Sequence, residues 1–445
     1  MMRFLEISII SLLTVVMVGL ALHTPVTVWI ESQWPAYELL AKAWKEIVLG
    51  VVAALLAIYV WKRGILDTLL RDKIVVLIIA VALLHIVVFV AFDNSYVSEL
   101  SGLLIDLRYY LLFIELYVAA RYMPWSRRKI LLASGVGMAI VIGFGLLQAT
   151  VLPRDVLAPL GYSDETIKPY LTVDLNDNYV RINSTLRGPN PVGAFAVITL
   201  ALVTAWAFRH KKAFRSWRIQ AATAGVGLAA FVVLWASHSR SAWLAVVAAA
   251  SAWLMAILPR RAAVASVAGI ATASIIMVTG LLAFRDNPTI SNLFFHSNPT
   301  GGSAHKSDDG HLESLEYGMT ATLELPTGSG IGSTGSASLH SDAPTIVENQ
   351  YFFFAHESGW LGLLLQIALF ILVLSGLWRA RRDWLSLGLF ASGIGLALIG
   401  ILQPVWADDV VSLYWWGLAG LALGSSGIIK PHEQRKKRTR NQKTT

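Results

Sequence analysis

The sequence has no cysteine, which removes disulfides, thiol nucleophiles and thiolate metal sites together. Charge is scarce as well. Only 14% of the 445 residues are charged against 56% hydrophobic, and the mean hydropathy is +0.60. Too little polar surface exists to cover a water-soluble globule, so that class is excluded. No internal repeat of the kind found in many transporters is visible, and the only low-complexity block is a basic C-terminal stretch, QRKKRTRNQK.

What the chain does have is apolar runs of 18 or more residues, each long enough to cross roughly 30 Å of hydrocarbon as a helix. They predict an all-α polytopic membrane protein with about twelve transmembrane helices, forming a single membrane domain over 1–445. The expected spans are 5–22, 46–61, 74–92, 102–120, 130–149, 191–208, 219–236, 241–258, 262–284, 349–376, 384–402 and 410–427. The first run could serve as a signal peptide, but no small-residue cleavage site follows it, and it is read as a span.

Alternate connections are crowded with cations: Lys62, Arg63, Arg71 and Lys73, then Arg127, Arg128 and Lys129, then Arg209 to Arg218, Arg260 and Arg261, and Arg379 to Arg382. The alternation holds across every expected span, so the positive-inside rule places both termini in the cytoplasm of a multi-pass inner-membrane protein. The formal net charge of +8 therefore points to membrane lipids and not to nucleic acid. The tail 428–445 reads as a basic cytoplasmic anchor.

The opposite face carries two long connections, 150–190 and 285–348. The first, with Pro153, Pro159, Gly161 and Pro169, is expected to be irregular with a short surface helix. The second, between the ninth and tenth spans, is the longest polar run and is expected to bear part of a site. Its PTGSGIGSTG, Pro326 to Gly335, lacks the lysine of a P-loop and reads better as a mobile turn folding over the membrane mouth than as a phosphate nest.

Few cations remain for this outer face, so their positions carry information. Arg181 and Arg187 lie in RINSTLRGPNPVG, Arg240 in the tight turn SHSRSAW, and Arg285 directly after the ninth span. Guanidinium groups at neighbouring helix ends can gather into a phosphate-binding pocket, although each alone could equally snorkel or cap a helix. Arg108 and Asp106, within the fourth span, project about 200° apart and must each find a partner on another helix, snorkel, or line a polar cavity.

In ENQYFFFAHESGWLG, Glu348 would stand at the mouth of the tenth span beside Asn349, on one helical stripe with Phe352, Ala355 and Gly359, while Glu357 lies deeper on the opposite side and His356 falls off the stripe. A partly buried carboxylate there suits a general base toward a sugar hydroxyl, or simply the start of a helix. His311, His340 and His356 match no metal-ligand spacing, so neither metal nor other cofactor is expected. Ser239 and Ser241 lie beside His238, yet sequence neighbours rarely orient as nucleophile and base.

In this order the pieces resemble the O-antigen ligase and polymerase superfamily of bacterial envelope enzymes. The resemblance rests on RINSTLRGPNPVGAF, SHSRSAWLAV, GHLESLEYG followed by PTGSGIG, and ENQYFFFAHESGWLGLLL. It implies a metal-independent, inverting glycosyltransferase of the GT-C kind, without cofactor, that moves a glycan from undecaprenyl diphosphate to an acceptor, either a lipid A core or a growing polysaccharide, on the outer, periplasmic side of the inner membrane. Arg181, Arg187, Arg240 and Arg285 would then hold the diphosphate, Glu348 or His340 would be the base, and His311, Asn349 and His356 would support them. Two departures stand out: Glu348 occupies a position where many ligases have His, and His311 one where many members have Arg. A flippase or polysaccharide transporter using the same cations is the alternative.

Overall fold

The computed structural model describes residues 1–298, 301–302 and 307–426, so Lys306 and the basic tail 428–445 lie outside the described residues. The long helices are α1 (Met2–Gln33), α2 (Pro35–Arg63), α3 (Lys73–Ala91), α4 (Tyr96–Tyr122), α5 (Ser126–Thr150), α6 (Pro189–Arg209), α7 (Trp217–Ala236) and α8 (Arg240–Ile257). They continue with α9 (Arg260–Ala283), α10 (Ser307–Glu324), α11 (Gln350–Arg379), α12 (Trp384–Leu402) and α13 (Asp409–Ser426).

Ten of these are long and apolar enough to cross a membrane, and the protein is a multi-pass helical membrane protein. The helices α4 and α13 occupy the expected spans 102–120 and 410–427 without meeting that test of composition. Glu99, Asp106, Arg108, Glu115 and Arg121 interrupt α4. The two nonetheless pack against each other along much of their length. Gly417, Gly420 and Gly424 lie on the contact face of α13, where a Cβ at Gly420 would fall 2.3 Å from the Phe113 carbonyl. Small residues let the backbones approach, as membrane helices require when lipid tails are as apolar as leucine.

Helix ends follow from local sequence. Asp72, Asp383 and Asn349 cap α3, α12 and α11 with side-chain acceptors. The left-handed Gly64 closes α2 after Lys62 and Arg63. An aromatic core of Trp406, Trp415 and Trp416, with ring centroids 5.2–5.7 Å apart, packs against Tyr109, Tyr110 and Phe370. At the periphery α9 is barely covered by protein and presents Ile275, Ile276 and Met277 outward.

The connection 150–190 differs from expectation. Beyond a single turn at Ala158–Leu160 it forms an antiparallel hairpin, β1 (Leu171–Val173) and β2 (Asn176–Arg181). The strand is stapled down immediately after Arg181: Ile182 N–H donates to the Ala236 carbonyl at 3.2 Å, and Ser184 N–H to Gln148 Oε1 at 2.8 Å. Backbone groups of a buried segment need partners, and the ends of α5 and α7 supply them.

PTGSGIGSTG differs as well. Instead of a mobile turn it is a wedge packed between the start of α4 and α11, with Ile331 and Gly332 buried. The helix α11 is broken at Gly359, which has φ +68° and ψ −172°. In an unbroken helix the Trp360 N–H would reach the His356 carbonyl. Here Trp360 N–H donates to the Pro326 carbonyl at 2.9 Å, and the His356 carbonyl accepts from Ser329 N–H at 2.6 Å. The wedge thus supplies both partners that the break removes, which is how irregular backbone is tolerated at membrane depth.

Candidate functional site

Two groups of the expected residues assemble on the face carrying the long connections. In the first, Arg181 at the end of β2 donates from Nε to the Ser237 carbonyl at 3.1 Å and from Nη2 to Asn190 Oδ1 at 2.8 Å. Both acceptors are neutral. Burial, and then the like charge of Arg240 nearby, pull the Arg181 guanidinium down to about 10. Arg240 opens α8 directly after the turn Ser237–Ser239, in which His238 adopts a left-handed φ of +47°. Burial and the Arg181 charge hold the His238 imidazole down to about 4, so it is neutral at physiological pH.

In the second group, Glu348 forms an ion pair with His311, which α10 brings down onto it. Glu348 N–H also donates to Ser314 Oγ at 2.8 Å, one helical turn after His311. The carboxylate is about one-third exposed, its side chain retaining 36% of its free surface. Glu348 precedes the helix and does not lie on its stripe: Asn349 is the cap, accepting from Tyr351 and Phe352 N–H, and α11 begins at Gln350.

The end of α12 ties the two groups together. Asn349 Nδ2 donates to the Ile401 carbonyl at 2.7 Å, while Gln403 Nε2 reaches Ser241 Oγ, next to Arg240, at 3.4 Å. Gln350 Oε1 accepts from Trp406 N–H at 2.7 Å, which fixes the connection that follows.

Other expected residues sit elsewhere. Arg187 is exposed, and its charge acts on Asp408 at the start of α13. Burial, and then Asp409, push the Asp408 carboxyl up to about 6 despite the Val411 N–H and Arg187. Arg285 is 71% exposed and pairs with Asp286 at 3.8 Å. His340 is exposed in the short turn after Gly335–Ser338. His356 is buried and bridges the wedge to α10, with Nδ1 3.0 Å from Ser333 Oγ and Nε2 3.3 Å from Tyr317 Oη.

Sequence reasoning missed two buried polar clusters. In one, Arg108 Nη1 lies 3.3 Å from Glu46 and its Nη2 meets Asp409, which also receives Lys45 at 2.8 Å and His23 at 3.1 Å. In the other, Glu357 accepts from Gly332 N–H at 3.0 Å and contacts Asp106, which lies 3.6 Å from His85. Ionisable residues within apolar spans were the available signal, but the partners come from separate helices. Among the described residues no three His, Asp or Glu side chains form a metal-holding group.

The arrangement offers two like-charged guanidinium groups, and a carboxylate backed by a histidine, on elements joined by one strut. No curated protein matches the chain. The family model described as O-antigen ligase matches residues 225–367, which run from α7 through Arg240, His311 and Glu348 into α11 and leave Arg181 and Arg187 outside. Over that stretch the chain is similar to O-antigen ligases, and the protein as a whole is a multi-pass helical membrane protein.

Proposed function

We propose that the protein transfers a glycan from undecaprenyl diphosphate to an acceptor hydroxyl at the outer face of the inner membrane, as an O-antigen ligase or polymerase of GT-C-like, twelve-span architecture. The observation that carries this reading is the Arg181–Arg240 proximity. Two guanidinium groups are held close enough to repel, and Arg181 donates to the neutral Ser237 carbonyl and Asn190 side chain. Guanidinium groups from two separate elements brought together in this way suit bidentate recognition of a diphosphate.

The acceptor hydroxyl oxygen attacks the anomeric carbon while the bond from that carbon to the diphosphate oxygen breaks. The bonding pair leaves with the diphosphate, and the anomeric configuration inverts. Charge grows on the departing diphosphate, so Arg181 and Arg240 stabilise the transition state more than the ground state. Glu348 takes the hydroxyl proton, and His311 orients the carboxylate for it. Arg187, exposed beside Asp408, adds positive charge for the diphosphate. Arg285 and His340, both exposed, take no part in the reaction as written.

The test is turnover by the purified protein given an undecaprenyl-diphosphate-linked glycan and an acceptor. Release of undecaprenyl diphosphate with a lengthened acceptor is the expected result, lost in Glu348→Gln while the protein stays folded. Movement of donor across a proteoliposome without its cleavage would instead establish the flippase alternative. In cells, loss of all attached polymer on deletion identifies a ligase, and retention of single repeat units identifies a polymerase.

A further inference from the structure

We propose that the basic end of the bundle holds a phospholipid site, an acyl slot walled by α5, α6, α7, α12 and α13 whose mouth selects an anionic headgroup. An open cavity of about 290 Å³ lies there between Leu131, Met138, Leu202, Trp206, Val226 and Leu418. Ser134 and Thr223 also line it, but their hydroxyls donate to the Ile130 and Ile219 carbonyls of their own helices, at 2.8 and 2.7 Å. The wall seen from inside is therefore apolar. This is where a lipid tail gains, since no backbone or hydroxyl donor is left to satisfy.

The charges decide which lipid. Side chains three and four apart share a helix face. Arg127 and Arg128 stand one turn from Leu131, Arg209 one turn from Trp206, and Arg218 one turn from Ala222, all toward the basic end. Arg127 is satisfied by Asp383 at 2.6 Å. Arg128 and Arg218 are exposed, and no described carboxylate pairs with them. Arg209 donates from Nη2 to the Arg381 carbonyl at 2.8 Å, and its Nε is buried without a described acceptor. Three guanidinium groups uncompensated by described carboxylates around an apolar slot complement a phosphate ester carrying net negative charge, and they repel the ammonium of a zwitterionic headgroup.

The slot is remote from the candidate site. The helix α6 begins at Pro189, eight residues after Arg181, and ends at Arg209, so a full membrane helix separates the two. The lipid site stands whether or not the protein is a transferase.

Gly135 lines the cavity, and a Cβ built there meets no atom within 4 Å. Gly135→Leu therefore sends a side chain into the slot with no overlap at its Cβ, and it favours the helix. Native mass spectrometry and thermal unfolding of the full chain in detergent, with added phosphatidylglycerol, phosphatidylcholine or undecaprenyl phosphate, test the proposal. The wild-type chain should retain one phosphatidylglycerol and melt higher with it than with phosphatidylcholine. Gly135→Leu should lose the retained lipid while melting no lower than the lipid-free wild type. Arg128→Gln with Arg218→Gln should weaken phosphatidylglycerol binding about thirtyfold. Equal binding of both phospholipids, retention of phosphatidylglycerol by Gly135→Leu, or preference for undecaprenyl phosphate in the slot would each overturn it.

Discussion

His356 and Trp360 are four residues apart on one membrane helix and do not bond to each other: the carbonyl of the first is taken by Ser329 and the N–H of the second by Pro326. The break at Gly359 leaves no room for a side chain, since a Cβ there would fall 2.5 Å from the Pro326 carbonyl oxygen. Gly359→Ala should destabilise the protein by on the order of 2–4 kcal/mol through left-handed strain and overlap. Gly135→Ala, in open space, should not. Comparing the two variants by thermal unfolding in detergent separates these outcomes.

Glu348 and His311 act as a unit in the proposed reaction, so their losses should not add. Glu348→Gln should remove turnover, and His311→Ala should lower it by roughly 10–100-fold through the disordered carboxylate. The double variant should be no worse than Glu348→Gln alone. Fully multiplicative losses in single-turnover assays would show that the two residues work independently.

Among the arginines, exposure ranks the expected effects. Arg181→Lys replaces a planar fork by a point charge and should cost roughly 10–100-fold in turnover. Arg285→Ala, at a side chain 71% exposed, should change it less than about twofold. A large loss from Arg285→Ala in the same assay would return that residue to the site.

His238 gives a pH signature. Its folded value is held down to about 4 from the ordinary 6.5, so the unfolded chain binds the proton more readily. The associated stability is fully present above pH 6.5 and is lost progressively as the pH falls toward 4. His238→Asn should flatten the loss over that window, and asparagine also tolerates the positive φ. Melting curves between pH 7 and pH 4 for the two proteins provide the comparison.

Asp409 receives Arg108, Lys45 and His23, whose own side chains are buried. Asp409→Asn would leave the single carboxylate of Glu46 to balance both Arg108 and Lys45 and should cost on the order of 3 kcal/mol. Low yield of folded protein in fluorescence-detected size exclusion, restored by adding Lys45→Met, would fit that account.

The helical spans were legible in the sequence because each is a local property, an apolar run bounded by polar connections. Even α4, too charged for a hydropathy test, is located by the alternation of basic connections on either side of it. The hairpin carrying Arg181 was not legible, because its strand is held by Ala236 and Gln148, which lie far away in sequence. Glu348 was found from its neighbours, but its position before the cap could not be separated from a place on the helix, since Asn349 serves as cap only if the chain bends there. The charge clusters at Asp409 and Asp106 need partners from several helices, and no spacing rule reaches between them.

Because residues 326–335 complete the hydrogen bonding of a transmembrane segment, they behave as part of that segment despite belonging to the connection before it. The position of Pro326 against Gly359 is consequently fixed as rigidly as in a helix interior, whatever length of chain joins them. An epitope inserted near the exposed Asp342–Ala343 would have to bulge outward to leave the clasp intact, whereas one at Gly330 would pry the tenth expected span open at its middle.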